Sequence, residues 1–221
     1  MLKKPQMILL DLDGTLVDSV PDLAFCADAM MDQLGLPTHG EEKARDWVGN
    51  GMERFVRRVL VGALKGEPDE ALFQRAYPLF LQLYAENTSR RSTVYPGVCD
   101  ALDYMQAMGY PLGCVTNKAG SFTETLLKSL GLRDYFGIVV CGDTLSKKKP
   151  DPLPLLHAAK KLNAIPLQSL MIGDSVNDVR AARSAGFQVV CVSYGYNHGQ
   201  DISTAMPDMV VDSLLDLMGV I

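Results

Sequence analysis

Several features are missing from this 221-residue chain, and each absence removes a class of function. There is no excess of positive charge: 21 Lys and Arg stand against 26 Asp and Glu, a formal net charge of −5. Without a basic face, nucleic acid is not expected as a partner. The longest cationic stretch, Lys147-Lys148-Lys149, is too short for a polyanion groove but long enough for one phosphate. Cysteine is sparse and unpatterned. Cys26, Cys99, Cys114, Cys141 and Cys191 are odd in number and show no CxxC spacing, which argues against a zinc site or a disulfide framework and for a reducing, cytoplasmic setting. No apolar run approaches the length of a membrane span. The N-terminus passes directly into an apolar run, so no secretory leader is expected there. Repeats and low-complexity tracts are absent as well. Hydrophobic residues make up 48%, enough for a sizeable core.

What the chain does have is a set of short apolar runs that read as buried strands: Met7–Leu10, Leu112–Thr116, Ile138–Cys141, Leu170–Ile172, Val189–Val192 and Met209–Val211. Between the later ones lie helical patterns at Val98–Met108, Phe122–Leu130, Leu153–Leu162 and Val176–Ala185. Uninterrupted apolar strands alternating with helices predict an α/β fold, a doubly wound, Rossmann-like parallel sheet covered on both faces. Ser175 with Asp178 three residues on resembles a capping box at a helix start. Residues 17–92 break the rhythm with four helical patterns and little strand signal. They predict a small all-helical cap inserted after the first strand, with hinges near 15–19 and 90–96. The catalytic core then comprises residues 1–16 and 93–221.

Ligands of a doubly wound sheet bind at the carboxyl ends of its strands, so the strand ends can be assembled from sequence alone. The first strand ends in Asp11-Leu12-Asp13-Gly14-Thr15, with two carboxylates on one side. The next ends in Thr116-Asn117; another leads to Gly142-Asp143 and then Lys149-Pro150; a fourth ends in Gly173-Asp174, with Asp178 one turn into a helix. Like charges held this close each disfavour the other's ionisation, and a divalent cation or a shared proton relieves that. Oxygen-only donors suit a hard cation such as Mg²⁺, while a hydroxyl, backbone N–H groups and a lysine suit phosphate oxygens. Together they point to phosphoryl transfer, in which a carboxylate can itself attack phosphorus.

The motifs Asp11-Leu12-Asp13-Gly14-Thr15, Val115-Thr116-Asn117, Lys149-Pro150-Asp151-Pro152 and Gly173-Asp174-Ser175-Val176-Asn177-Asp178, in that order, resemble those of the haloacid dehalogenase-like superfamily. More narrowly, Val17–Leu23, Trp47–Gly51 and Tyr194–Gly199 resemble the bacterial phosphoglycolate phosphatases. The resemblance implies a Mg²⁺-dependent phosphomonoesterase that works through an aspartyl phosphate and hydrolyses 2-phosphoglycolate. Asp11 would be the nucleophile. Asp13 would protonate the leaving alkoxide and then activate water. Thr116 and the Asn117 backbone would hold phosphate oxygens, and Lys149 would neutralise charge. Asp11, the Asp13 carbonyl and Asp174 would hold the metal, with Asp178 orienting Lys149 or metal-bound water. Cys141 replaces a glycine common in relatives and is expected to change only packing. Substrate choice would lie in the cap, where Asn50 and Gly51 form a turn able to project over the site, and where Arg54, Arg57 or Arg58 could meet a small carboxylate. Trp47 reads as core and His198 as structural.

The expected partner is a small phosphorylated metabolite, and the choice between monomer and homodimer stays open. A phosphatase or phosphomutase for another metabolite, such as a sugar phosphate or pyrophosphate, is the alternative within the superfamily. A dehalogenase is disfavoured because halide needs no acid such as Asp13. A phospho-accepting signalling module is the alternative of a different class; such modules lack a helical insertion after the first strand.

Overall fold

The computed structural model describes residues 2–221. In chain order it contains β1 (Met7–Leu10), β2 (Val17–Asp18), α1 (Val20–Gln33), α2 (Gly40–Trp47), α3 (Met52–Val61), α4 (Glu70–Asn87) and β3 (Thr93–Val94), followed by α5 (Val98–Ala107), β4 (Leu112–Val115), α6 (Gly120–Ser129), β5 (Ile138–Val140), α7 (Leu153–Lys161), β6 (Ser169–Gly173), α8 (Val176–Ala185), β7 (Gln188–Val192) and β8 (Met209–Val211). Six strands form one sheet in the order β5-β4-β1-β6-β7-β8, every pair parallel.

The alternation of side chains along each strand explains why these runs carry polar residues only at the first positions of β6 and β7, Ser169 and Gln188. Ile8 and Leu10 pack with Leu112, Cys114, Leu170, Ile172, Val190 and Val192 on one face. Met7 and Leu9 pack with Val115, Met171, Val189 and Cys191 on the other. Both faces are covered by helices, so neither parity of position tolerates water. The strand order reverses direction at β1, whose neighbours are β4 and β6. The register aligns Leu10 with Cys114 and with Ile172, and Val115 with Val140. Residues just beyond these pairs, including Asp11, Thr116 and Asp174, therefore leave the sheet at one level, beside the switch point.

Helices α1–α4 have a separate apolar core of Val20, Leu23, Met30, Trp47, Phe55, Phe73, Phe80 and Tyr84. Trp47 is buried in it, edge-on to His39. The two connections to the sheet run side by side: β2 pairs antiparallel with β3, Val17 opposite Val94 and Asp18 opposite Thr93. Two residues per strand are too few for a periodicity, so the sequence reading found no strand there. Asp22, fully buried at the start of α1, accepts from the Arg91 and Ser92 backbone N–H groups, both at 2.9 Å, and from Ser92 Oγ at 2.6 Å. The outgoing and returning connections are thus fastened to one carboxylate.

Candidate active site

Asp11 is the first residue past β1. Its Oδ1 accepts from the Leu12 N–H at 2.7 Å and lies 2.8 Å from Lys149 Nζ. Burial raises the Asp11 carboxyl to about 7, Lys149 pulling it down and Asp178 adding to the rise. Asp174, the residue after β6, is buried too. Its Oδ1 accepts from Thr15 Oγ1 at 3.0 Å and its Oδ2 from the Tyr196 N–H at 2.6 Å. Burial, then the charges of Asp11 and Asp178, push its carboxyl well above the ordinary range. Two glycines let the backbone close around this carboxylate. A Cβ on Gly14, which has φ of +85°, would stand 2.3 Å from Asp174 Oδ2, and one on Gly195 would stand 2.1 Å from Asp174 Cβ.

Oxygens of Asp11, Asp174 and Asp178 lie within 4.8 Å of one another. The third of these is already engaged. Asp178 Oδ1 accepts from Lys149 Nζ at 2.7 Å, and its Oδ2 accepts from Ser175 N at 3.1 Å and Ser175 Oγ at 2.6 Å. The expected capping box is therefore present, and its acidic member also holds the lysine. Lys149, only 2% exposed, donates to the Val115 carbonyl at 2.6 Å as well. Burial alone would lower its pKa, but Asp11 and Asp178 outweigh burial and hold the ammonium above its ordinary value. That leaves Asp11 and Asp174 as two buried carboxylates with raised pKa values and no cation of their own beyond the shared lysine. A hard divalent cation between them fits this donor set.

Asp13 stands apart from Lys149. Its Oδ1 accepts from Ser19 Oγ at 2.6 Å, and Lys118 Nζ lies 3.0 and 3.2 Å from its two oxygens. Lys118 is 4% exposed and 5.1 Å from the centre of the Tyr84 ring. Burial opposes its charge, but Asp13 outweighs burial and the ammonium stays above its ordinary value. The sequence reading passed over Lys118. The only local signal was its place two residues after Thr116 at a strand end.

A cleft over the strand ends is lined by Asp11, Asp13, Thr116, Lys118, Lys149 and Asp174 below, and by the Val48–Met52 turn, Leu23 and Phe55 above. Asn50 and Gly51 thus do line the cleft. The Asn50 side-chain oxygen, however, accepts from Arg58 Nη2 at 2.9 Å, and its carbonyl from Lys148 Nζ at 2.9 Å. Thr116 Oγ1 accepts from the Lys118 N–H at 3.1 Å, and Asn117 Nδ2 donates to the Lys149 carbonyl at 2.9 Å. None of the three arginines considered as carboxylate readers lines the cleft. Arg54 pairs with Glu67; Arg57 pairs with Glu53, Glu67 and Glu70 and lies over the Phe73 ring; Arg58 donates to the Trp47 and Gly49 carbonyls. Arg58 is a brace behind the turn. His198 meets the cap: its Nδ1 lies 2.8 Å from the Asp46 carbonyl. Tyr196, from the same loop, bonds Asp18 through its hydroxyl, which also accepts from the Ser19 N–H at 3.0 Å. One loop after β7 therefore touches the Asp174 carboxylate, the ribbon and the cap.

No helix among the described residues is long and apolar enough to cross a membrane. Residues 8–192 match the family model described as haloacid dehalogenase-like hydrolase. The chain is 60% identical over 217 residues to a phosphoglycolate phosphatase of Nitrosococcus oceani, covering 98% of this chain and 96% of the relative. It is 47% identical over 209 residues to one of Thiobacillus denitrificans, covering 95% and 92%. Among solved structures, a predicted phosphoglycolate phosphatase from Haemophilus somnus superposes with a TM-score of 0.92 at 34% identity, covering 100% of this chain and 99% of that one. With strand-end carboxylates, lysine and hydroxyl arranged as above, and the family model spanning most of its length, the chain belongs to the haloacid dehalogenase-like hydrolases.

Proposed function

We propose that this chain hydrolyses small phosphomonoesters, 2-phosphoglycolate in particular, through an aspartyl phosphate on Asp11. The observation that carries this reading is the division of labour between two aspartates on one strand end. Asp11 faces Lys149 and Asp174, whereas Asp13 faces Ser19 and Lys118. An Asp11 oxygen attacks phosphorus as the ester P–O bond breaks, and Asp13 gives its proton to the departing alkoxide. Water then attacks phosphorus, the Asp11–phosphorus bond breaks, and Asp13 takes the proton back. Lys149 offsets charge on Asp11 and the phosphoryl oxygens, with Thr116 Oγ1 and the Asn117 backbone N–H as further donors. Asp178 holds Lys149 in place. Asp11, the Asp13 carbonyl and Asp174 would hold Mg²⁺, which when bound neutralises phosphate charge and orients the ester.

Residues 17–92 act as a cap over the core formed by 1–16 and 93–221, and the Val48–Met52 turn shields the phosphoryl group from bulk water. Substrate assignment is supported by the phosphoglycolate phosphatases similar to this chain over almost their full length. The five cysteines are unpaired, which fits action in the cytoplasm. A panel of phosphomonoesters with a free-phosphate readout tests the reading. 2-Phosphoglycolate is expected to give the highest kcat/KM; a sugar phosphate or pyrophosphate ahead of it would replace the substrate assignment. Absence of free phosphate with all of them would remove the hydrolase assignment itself.

A further inference from the structure

The cleft contains a second lysine that the reaction just described does not use. Lys149 serves the phosphoryl end, shared between Asp11 and Asp178. Lys118 lies at the other end, against Asp13, the residue that handles the leaving-group oxygen. Among the described residues lining the cleft these two are its only cations. The upper wall contributes Leu23, Val48, Met52 and Phe55, and the nearby cap arginines are spent on Glu67, on Glu53 and Glu70, and on backbone carbonyls. The rest of that wall is apolar or neutral, the Gly49–Gly51 turn included, so Lys118 is the one cation that an anionic group on the leaving side of a substrate would meet among these residues. In 2-phosphoglycolate a single methylene separates the ester oxygen from the carboxylate carbon. A substrate whose ester oxygen is within reach of Asp13 thus places its carboxylate beside the group that already pairs with Asp13.

Taking 2-phosphoglycolate as the substrate, as proposed above, we infer that Lys118 is the group that recognises the substrate carboxylate and makes the site selective for phosphorylated small acids. In this structure Lys118 Nζ contacts both oxygens of Asp13, at 3.0 and 3.2 Å. A lysine ammonium has three donors on a mobile stem, so it can keep one contact with Asp13 while giving another to the incoming carboxylate. Burial strengthens that contact, because a carboxylate entering this wall without a partner would be left desolvated and unpaired. The Tyr84 ring, its centre 5.1 Å from Nζ, adds support for the charge.

The test compares 2-phosphoglycolate with ethyl phosphate, which has the same ester linkage and no carboxylate, in the wild type and in Lys118→Met. Loss of a charge-assisted hydrogen bond to the carboxylate should cut the ratio of the two kcat/KM values by about 10- to 100-fold, mostly through the KM for 2-phosphoglycolate. If Lys118 acted only by holding Asp13, both substrates would suffer alike and the ratio would stay within about threefold of wild type, which overturns the inference. A wild type that does not prefer 2-phosphoglycolate would sink the substrate reading and this inference together; a preference that survives the substitution sinks only the inference. Should Lys118→Met not fold, as judged by circular dichroism, Lys118→Gln keeps a donor beside Asp13, drops only the charge, and carries the same comparison.

Discussion

Asp178 has two separable duties, and two substitutions divide them. Its Oδ2 caps α8 by accepting from Ser175 N and Ser175 Oγ, while its Oδ1 holds Lys149 at 2.7 Å. The side chain is fully buried, and Lys149 is 2% exposed. In Asp178→Asn the amide oxygen can still accept at the helix start, but the carboxylate charge facing Lys149 is gone. Breaking a buried ion pair by removing one partner costs about 3–5 kcal/mol, and because Lys149 keeps Asp11 at 2.8 Å we expect the low end, about 3 kcal/mol. Asp178→Ala also uncaps α8, which adds about 1 kcal/mol. For a chain of this size 1 kcal/mol corresponds to roughly 2–4 °C in Tm, so Asn should lower Tm by about 6–12 °C and Ala by a few degrees more. Thermal unfolding followed by circular dichroism, without metal, reads both values. A shift under about 2 °C in Asp178→Asn would refute the idea that Asp178 stabilises the buried lysine. Equal shifts in the two variants would refute the capping role.

Other outcomes follow from the same geometry. Asp11 titrates near 3.8 when unfolded and near 7 when folded, so without metal its burial destabilises the fold progressively as pH rises from 3.8 toward 7. Asp174 is shifted in the same direction. Binding of Mg²⁺ at pH 6 should therefore release protons, and less at pH 8.5, where Asp11 is already ionised; calorimetry in buffers of different ionisation enthalpy measures this, and no release at either pH would contradict it. Gly14→Ala would put a methyl 2.3 Å from Asp174 Oδ2 at a φ of +85°; displacement of that carboxylate should weaken Mg²⁺ binding by roughly 10- to 100-fold, and an unchanged affinity would exclude the metal role of Asp174. Lys148→Ala removes the 2.9 Å contact between the core and the Asn50 carbonyl; as an exposed contact it should raise KM only severalfold, with Tm within about 2 °C of wild type.

How far the sequence could be read is explained by the range of the interactions. The sheet and the residues at its rim follow from local patterns: four or five apolar residues, buried on both faces, end at a carboxylate or a hydroxyl. Asp11, Thr116 and Asp174 could be placed together because a doubly wound sheet presents its strand ends on one side. The capping box at Ser175 and Asp178 is local too. What escaped is long-range. Lys118 and Asp13 are 105 positions apart, and nothing near Lys118 marks it as buried rather than solvated. Tyr196 reaches Asp18 across 178 positions. Apart from the local Glu53–Arg57 pair on α3, the partners of the cap arginines, Glu67, Glu70 and the carbonyls braced by Arg58, come together only once the helices have packed. The β2–β3 ribbon is too short for any alternation to show.

The central claim is that phosphorus is transferred to Asp11 before water removes it. Turnover with 2-phosphoglycolate quenched in acid and reduced with borohydride should convert residue 11, and no other carboxylate, into homoserine, as peptide mass spectrometry would show. In Asp11→Asn both the homoserine and the release of phosphate should vanish while the circular dichroism spectrum stays that of the folded chain. Reduction at a different aspartate, or phosphate release persisting at a substantial rate in Asp11→Asn, would contradict the mechanism.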